Sequence, residues 1–481
     1  MYRLVPVVDE SDGISGGQVL RNNVIPELDG LNQKWSLRRR HLVAILAFFG
    51  FGCIYAMRAN ISVAIVQMTT PGMVQLEGKI LNEKAEFDSW DSVTQGVILG
   101  SFFYGYIFTQ IPGGYLAHRF GGKDVYVIGI FGTAIFTLLT PPLAEMGKFA
   151  LIAGRFIMGL LEGVTYPAMH VIWSHWAPAL EKTQLASFAF SGSYLGTVFA
   201  MPLSAMLGET FGWPSIFYFF GLFSMAWCVI WVKNISELPE NDSKITTEEL
   251  TLLQRETTNT NTYSVPWILI FRSKAVWAII AAHFCENWGF YIMLTNLPRI
   301  LNDLMDYRLE KAGFVAALPY FIMGVLLIVS GSFSDMLIDR YAWSVDRTRK
   351  VIGSFGFLSQ ALLILLASAN FSADLSLISL IASIGLGGVA WSAFSVNHLD
   401  IAPQYAGHLM GLSNTIATIP GMVAPIIVGA IVTDHLVSQW RVVFYMTAAV
   451  YLLGAAVYWR FASGKLESWA SDQTPFMRTV D

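Results

Sequence analysis

Charge is what this chain has least of. Only 13% of its 481 residues are Asp, Glu, Lys or Arg, 54% are hydrophobic, and the mean hydropathy is +0.52. Soluble domains carry about a quarter of their residues as charges, so the composition points to a membrane protein. The net charge of −4 supplies no basic field and argues against a nucleic-acid partner. Cysteine is nearly missing. Cys53, Cys228 and Cys285 all lie in apolar runs, which rules out a disulfide framework, gives no metal-ligand spacing, and leaves them as small buried hydrophobes. No nucleophile–base or metal motif appears, so the expectation is a protein that is not an enzyme and has no metal or cofactor. A secretory leader is also absent from the pattern. The first forty residues are polar and end in Arg38, Arg39 and Arg40, a basic cluster expected to hold the N-terminus in the cytosol.

What is abundant is long apolar runs. A helix needs about 20 apolar residues to cross a bilayer core, and about twelve stretches meet that need. They fall near 42–68, 93–117, 125–146, 149–174, 184–208, 214–234, 275–300, 311–336, 350–369, 374–397, 405–433 and 440–462. Pro112, Pro167, Pro202, Pro420 and Pro425 lie inside them, which membrane helices tolerate when neighbours re-satisfy the backbone. The 15 Trp suit the membrane interfaces. The loop near 69–92 carries Glu77, Glu83, Glu86, Asp88 and Asp91 and reads as external. Loops with Arg119 and Lys123, and with Arg340, Arg347, Arg349 and Lys350, read as cytosolic.

The expected fold is therefore an all-α membrane protein with twelve transmembrane helices in two pseudo-symmetric six-helix halves. Its parts are a cytosolic tail (1–40), a first bundle (41–234), a central cytosolic loop (235–274), a second bundle (275–463) and a cytosolic C-terminal tail (464–481). Within the central loop, Thr246 and Glu249 have the spacing of a capping box. Internal symmetry supports the division. Gly114-Tyr-Leu-Ala-His118-Arg119-Phe-Gly121-Gly-Lys123 follows the second span, and Gly331-Ser-Phe-Ser-Asp335 closes the eighth, a repeat of the kind that transporters show.

The segment 114–123 resembles the loop motif of the major facilitator superfamily, with His118 in place of the motif's Asp and Gly122 in place of one basic residue. Further segments narrow the resemblance. They are Arg58-Ala-Asn60-Ile-Ser62, Tyr104-Gly-Tyr-Ile-Phe-Thr-Gln110, Glu162-Gly-Val-Thr-Tyr-Pro-Ala-Met-His170, Trp176-Ala-Pro, Asn397-His-Leu-Asp400-Ile-Ala-Pro and Phe461-Ala-Ser-Gly. Together they resemble the anion:cation symporter family, which holds sialin, the vesicular glutamate transporters and the type I sodium-phosphate cotransporters. The resemblance implies a secondary active transporter of an anion, such as an acidic sugar or another carboxylate, coupled to H+ or Na+. A sodium-dependent phosphate cotransporter is the nearest alternative, and a non-transporting sensor on the same scaffold is the alternative of another class. Leu99 and Glu286 stand where the glutamate transporters carry a His and an Arg, and Met158 where sialin-like proteins carry a Glu. Asn414-Thr-Ile-Ala-Thr-Ile-Pro420-Gly-Met is nearer to sialin.

The residues that could carry this chemistry are the polar ones inside the runs. An arginine at mid-membrane costs about 2.5 kcal/mol or more and must face a cavity or a partner. Arg58 is that residue, and its guanidinium can hold a carboxylate with two parallel hydrogen bonds. Tyr55, Tyr104, Tyr291, Asn287, Ser392 and Asn397 are the candidate polar lining. In the fourth span Arg155, Glu162, Tyr166 and His170 share roughly one helical face. Arg155 is either a site residue or a side chain snorkelling to a membrane end. Carboxylates withdrawn from water hold protons more readily, so Glu162 is the candidate for coupling, with Arg155, His170 and Glu286 beside it. Glu286 is spaced for a local contact with His283 and could form a gate with Arg58 or Arg155. Gly114, His118, Arg119, Gly121, Lys123 and Asp335 are the candidate gating elements; His398 and Asp400 read as a structural turn. The expected partners are a small anionic substrate and the lipid bilayer, with function as a monomer, in the plasma membrane or an endolysosomal or vesicular membrane. Asn370-Phe-Ser372 fits a glycosylation sequon and Tyr2-Arg-Leu-Val5 a sorting signal.

Overall fold

The computed structural model describes residues 38–69, 72–76, 79–83, 86–90, 92–256, 265–305, 309–369, 373–433 and 436–470. The sequon and the sorting-type tetrapeptide lie outside the described residues. Long helices dominate: α1 (Arg39–Thr69), α2 (Ser92–Phe120), α3 (Gly122–Leu138) continued by α4 (Thr140–Glu145), α5 (Lys148–Glu162) continued by α6 (Thr165–Trp176), α7 (Lys182–Phe211) and α8 (Pro214–Asn234). Two short helices follow, α9 (Thr247–Glu256) and α10 (Trp267–Arg272), then α11 (Lys274–Met305), α12 (Leu309–Asp339), α13 (Val345–Ser368), α14 (Ala373–Ile401), α15 (Ala406–Ile431) and α16 (Val437–Phe461). With α3–α4 and α5–α6 each taken as one rod, these make twelve rods of membrane length. Nine candidate spans among the described residues are both long and apolar enough to cross a bilayer. The expected all-α fold holds with one addition: β1 (Gly72–Leu76) pairs antiparallel with β2 (Lys79–Glu83) as a small ribbon in the loop after α1.

Most rods overrun their apolar runs at one or both ends, α13 by the five residues 345–349. At α13, Ser344 Oγ accepts from Arg347 N–H at 3.2 Å, so the helix starts ahead of its apolar stretch. The fourth rod is interrupted at Gly163 and Val164. Pro167 has no N–H to offer the Gly163 carbonyl, and the Thr165 hydroxyl donates to the Glu162 carbonyl at 2.7 Å.

The face that carries the start of α1, the 235–274 segment and the end of α16 is called basal here. The 235–274 segment is more than a connector. Glu249 accepts from the backbone N–H groups of Arg39 and Arg40 at 3.0 and 3.1 Å, capping α1. It also accepts from Arg40 Nη1 at 3.0 Å. Only half of the expected capping box forms: Thr246 Oγ1 accepts from Glu249 N–H, while the Glu249 carboxylate serves α1 instead. Glu237 accepts from Gly122 and Lys123 N–H, both at 2.8 Å, and so caps α3. Burial pushes the Glu237 carboxyl above its usual range, and those two donors act in the opposite sense.

Helix packing divides the rods. α1 packs on α7 and α8, α2 on α5, and α3 on α5, α6 and α8; α11 packs on α15 and α16, and α14 on α12 and α13. The two sets meet mainly along α2 with α15 and α7 with α12. Membrane helices lack a hydrophobic drive to associate and rely on close backbone approach. A Cβ on Gly105 would lie 1.9 Å from the Phe156 carbonyl oxygen, and one on Gly159 would lie 2.0 Å from that of Phe102. This reciprocal pair brings α2 against α5. Gly192 does the same for α7 against α1, with the Phe48 carbonyl 2.0 Å from where a Cβ would stand.

Because those obstacles are backbone atoms, Gly159→Val should force α2 and α5 apart. Overpacking costs about 1–3 kcal/mol or more when the neighbour cannot yield. The variant should show a clearly lower unfolding midpoint in detergent than Gly147→Ala, which meets no neighbouring atom within 4 Å but strains a positive φ of 114°. Equal midpoints for the two would contradict the crossing.

Candidate functional site

The α2–α5 crossing places Phe102 and Tyr106 beside Arg155 and Glu162, and α1 brings Arg58 to them. Arg58 donates from Nε to Glu162 Oε1 at 2.9 Å, and its Nη2 pairs with the same oxygen. Glu162 is fully buried, and its Oε2 has no hydrogen-bond partner. Aromatic faces surround the guanidinium: its carbon lies 4.5 Å from the Tyr55 ring centre and 4.8 Å from those of Phe102 and Tyr106.

Arg58 opens onto a cavity of about 370 Å³. Tyr55, Leu99, Arg155, Tyr194 and Thr197 line it from the first set of rods, and Phe290, Tyr291, Leu294, Thr295 and Tyr320 from the second. From the level of Arg58 the lining climbs through Ser62, Leu99, Met201 and Leu294, away from the basal face.

Arg155 departs from one of its two expectations. It does not snorkel to a membrane end: it is 3% exposed and lines the cavity. Its Nε has no hydrogen-bond partner, Nη1 lies 3.8 Å from Met158 Sδ, and the guanidinium sits 5.2 Å from the Phe102 ring centre. No carboxylate among the described residues pairs with it. The expectation that it does not bond Glu162 across two turns of helix agrees with this geometry.

Other expected lining residues are elsewhere. Tyr104 is 51% exposed on the outer surface of α2, facing where lipid would be. Asn287 donates to the Ala417 carbonyl at 2.8 Å and ties α11 to α15. Ser392 donates to the Val389 carbonyl of its own helix. Asn397 sits at the basal end, donating to the Ser463 carbonyl at 2.8 Å and accepting from the Tyr458 hydroxyl at 3.2 Å. Glu286 makes no gate with Arg58 or Arg155. It is buried and accepts from Gln360 Nε2 at 2.9 Å, while His283 faces Ser413 Oγ at 3.2 Å rather than Glu286. Tyr55 and Tyr291 do line the cavity.

Below the cavity, toward the basal face, polar ties join the two sets of rods. Asn414 donates to the Tyr106 hydroxyl at 3.0 Å and to Gln110 Oε1 at 2.9 Å. His170 has carbonyl oxygens at both ring nitrogens, Tyr166 at 3.0 Å and Ser395 at 2.9 Å. Both can be satisfied at once only by the doubly protonated ring. Asp335 accepts from Gln184 N–H at 2.7 Å. Asp400, expected only to shape a turn, accepts from Arg349 Nε at 2.7 Å and lies 3.5 Å from Lys182 Nζ, while Arg349 Nη1 donates to Thr183 Oγ1 at 2.9 Å.

The motif glycines mark close passages between the sets. A Cβ on Gly114 would lie 2.6 Å from the Gly407 carbonyl oxygen, and one on Gly331 2.6 Å from Ser187 Cβ. Gly121 has φ 99° and makes the turn into α3. His118 packs edge-on to His408 at 5.7 Å, and Arg119 Nη1 donates to the Tyr115 hydroxyl at 3.1 Å. Lys123 contributes its backbone N–H to Glu237. Sequence reasoning missed Gln110, Asn414 and Tyr320 as site or gate residues, and Lys182 and Arg349 as ties. A polar residue inside an apolar run was the available signal for the first three.

Long rods in two packed sets, closed by polar ties on one side of a mid-depth cavity walled by guanidiniums, define a secondary active transporter. Residues 47–425 match the family model of the Major Facilitator Superfamily, and the chain belongs to that superfamily. It is 42% identical to sialin of Ovis aries over 449 residues, covering 90% of each chain. It is 39% identical to vesicular glutamate transporter 2 of Homo sapiens over 446 residues, covering 91% of this chain and 76% of that one. Among solved structures it resembles the proton:xylose symporter XylE (TM-score 0.69, 16% identity, 89% of this chain and 97% of that chain). It also resembles the transporter FucP in the outward conformation (TM-score 0.62, 14% identity, 88% and 99%). At such identities the structures speak for the fold alone.

Removing one partner of a buried ion pair costs about 3–5 kcal/mol, because the other is left uncompensated. Arg58→Met and Glu162→Met should each lower the unfolding midpoint, and the double variant should recover much of the loss. Additive losses in that cycle would show that the two side chains do not depend on each other.

Proposed function

We propose that the chain carries a small organic anion across its membrane by alternating access, with the anion bound at Arg155 and coupling through Glu162. The observation that carries this reading is the unpaired Arg155 guanidinium on the cavity wall. A buried cation without a carboxylate is costly, and a substrate anion supplies what is missing. Arg58, the residue first expected to bind substrate, is occupied by Glu162 in this state. A proton arriving on Glu162 would free Arg58 to join Arg155 on the substrate. The bare Oε2 leaves room for that proton.

The two bundles, 41–234 and 275–463, are the moving bodies in this reading, and the basal ties are the gate that must part. Basic residues at the basal ends, including Arg119, Lys123, Arg340 and Arg347, support a cytosolic basal face with both termini inside. The described state is then closed to the cytosol. His170 joins the gate through its Nε2, 2.9 Å from the Ser395 carbonyl of the opposite bundle. H+ is favoured over Na+ as the coupling ion because the groups at the centre are a carboxylate–guanidinium pair and a free guanidinium, which offer a sodium ion little. Likeness to sialin and the vesicular glutamate transporters supports an endolysosomal or vesicular membrane.

In proteoliposomes holding the full chain, an inward-directed pH gradient should drive anion accumulation. Arg155→Gln should reduce it at least about a hundredfold, as expected when a charge-assisted contact of about 3 kcal/mol is lost. Glu162→Gln should leave anion exchange intact while removing the response to pH. Full uptake by Arg155→Gln, or an unchanged pH response in Glu162→Gln, would refute the assignment.

A further inference from the structure

We infer that the substrate is a flat, largely apolar monoanion, an aromatic or conjugated carboxylate of ring size with one further hydrogen-bonding group, held by Arg155 at the carboxylate and by the Tyr320 hydroxyl at that group. This rests on the reading of the cavity as an anion site.

Charge sets the first limit. Among the described residues the cavity wall carries Arg58 and Arg155 and no carboxylate, with Glu162 buried behind Arg58. Two guanidiniums and one carboxylate leave one positive charge to be matched. An amino dicarboxylate would bring an ammonium with no acid on the wall to receive it. While Glu162 stays ionised against Arg58, a phosphate dianion would bring one negative charge more than that state can match.

Hydrogen-bonding capacity sets the second limit. Among the described residues three aliphatic hydroxyls line the cavity, and each already donates to a carbonyl of its own helix: Ser62 to Ala59 at 2.6 Å, Thr197 to Ser193 at 2.8 Å and Thr295 to Tyr291 at 2.7 Å. This inward bonding is common for hydroxyl side chains in helices. The other hydroxyls on the wall are phenolic, at Tyr55, Tyr194, Tyr291 and Tyr320, each at the edge of a ring, and Tyr55 already accepts from Tyr166 at 3.3 Å. A polyhydroxy acid would give up water on many adjacent hydroxyls and meet only these separate ring-edge groups.

The rest of the wall is aromatic and aliphatic. Phe103 meets Tyr291 edge-on at 5.7 Å, and Phe290 meets Tyr320 edge-on at 5.7 Å. Such faces and edges suit a planar ring, and about 370 Å³ accommodates a small ring system with its substituents.

Among the described residues, two buried polar atoms on this wall have no partner: Arg155 Nε and the Tyr320 hydroxyl, the latter on a residue 7% exposed. Arg155 is on α5 and Tyr320 on α12, in different bundles. One ligand satisfying both would therefore link the bundles through the cavity.

The test is calorimetric binding to the purified full chain with benzoate, 4-hydroxybenzoate, gluconate, glutamate and inorganic phosphate. Affinity should run 4-hydroxybenzoate, then benzoate, with the other three weaker by at least about tenfold. Tyr320→Phe should erase the preference for 4-hydroxybenzoate, about three- to tenfold for one neutral hydrogen bond, and leave benzoate affinity nearly unchanged. If gluconate, glutamate or phosphate binds as tightly as benzoate, and Arg155→Gln abolishes that binding, the anion site stands and the substrate class is overturned. A hydroxyl preference that persists in Tyr320→Phe also overturns it. If benzoate binding survives Arg155→Gln, the underlying reading of the site falls, and this inference with it.

Discussion

A guanidinium placed halfway through a membrane must find a counter-charge, and in this chain the need is met by a carboxylate on another helix. The Arg58–Glu162 pair is the constraint around which the first bundle is arranged. Glu162 lies at the last turn of α5, just before the helix is interrupted, and Arg58 comes from α1. For the two to meet, α1 and α5 must be held at close range through α2 and α3, which touch both. The bare glycine crossing at Gly105 and Gly159 sets how near α2 comes to α5. The aromatic rings of Tyr55, Phe102 and Tyr106 fill the remaining space around the cation with faces that carry negative charge density. A buried pair of this kind adds little net stability on its own. In the proposed mechanism its value lies in being breakable by one proton.

The same economy appears at the basal end. Charged groups there do not merely solvate a surface. Glu249 and Glu237 cap α1 and α3 from the connecting segment, while Asp400 gathers Arg349 and Lys182 near the boundary between bundles. The two motif glycines, Gly114 and Gly331, occupy corresponding places in the two bundles, each pressing its helix onto the opposite bundle. A substitution of either residue acts on the contact between bundles through packing, whereas a substitution at Asp400 or Asp335 acts through lost charge or hydrogen bonds.

The sequence carried the fold clearly and the site only in part, for one physical reason. Apolar run length depends on composition, so the rods were legible, and the fixed motif spacing exposed the repeat. The rotation of each rod was not. A helix that is apolar all round has no polar stripe to show which side faces the cavity. Tyr104 was therefore expected inside and points outward, while Tyr55 and Tyr291, chosen on the same grounds, do line the cavity. Asn397 and Asn287 are polar residues spent on ties between helices, and Glu286 found Gln360 instead of an arginine. Arg58 and Glu162 were both singled out, but their pairing depends on a long-range contact that spacing cannot reveal. That pairing is what moves the free positive charge from Arg58 to Arg155.

In the proposed cycle, charge arithmetic at the centre gives the coupling its direction. With Glu162 ionised and the cavity empty, Arg58, Arg155 and Glu162 sum to one positive charge. An anion alone would neutralise the centre, while a proton alone would raise it to two positive charges in a low-dielectric cavity. Binding both returns the sum to one. The empty centre and the doubly loaded centre thus carry the same charge, and each singly loaded state differs from them by one unit. Moving that unit through the membrane field costs about 2.3 kcal/mol per 100 mV, so the bundles can reorient with equal electrical work in the two states that a symporter must allow. A ligand shifts a conformational equilibrium only by its differential affinity. An anion that draws Arg58 away from Glu162 and also engages the second bundle has that difference built into its contacts.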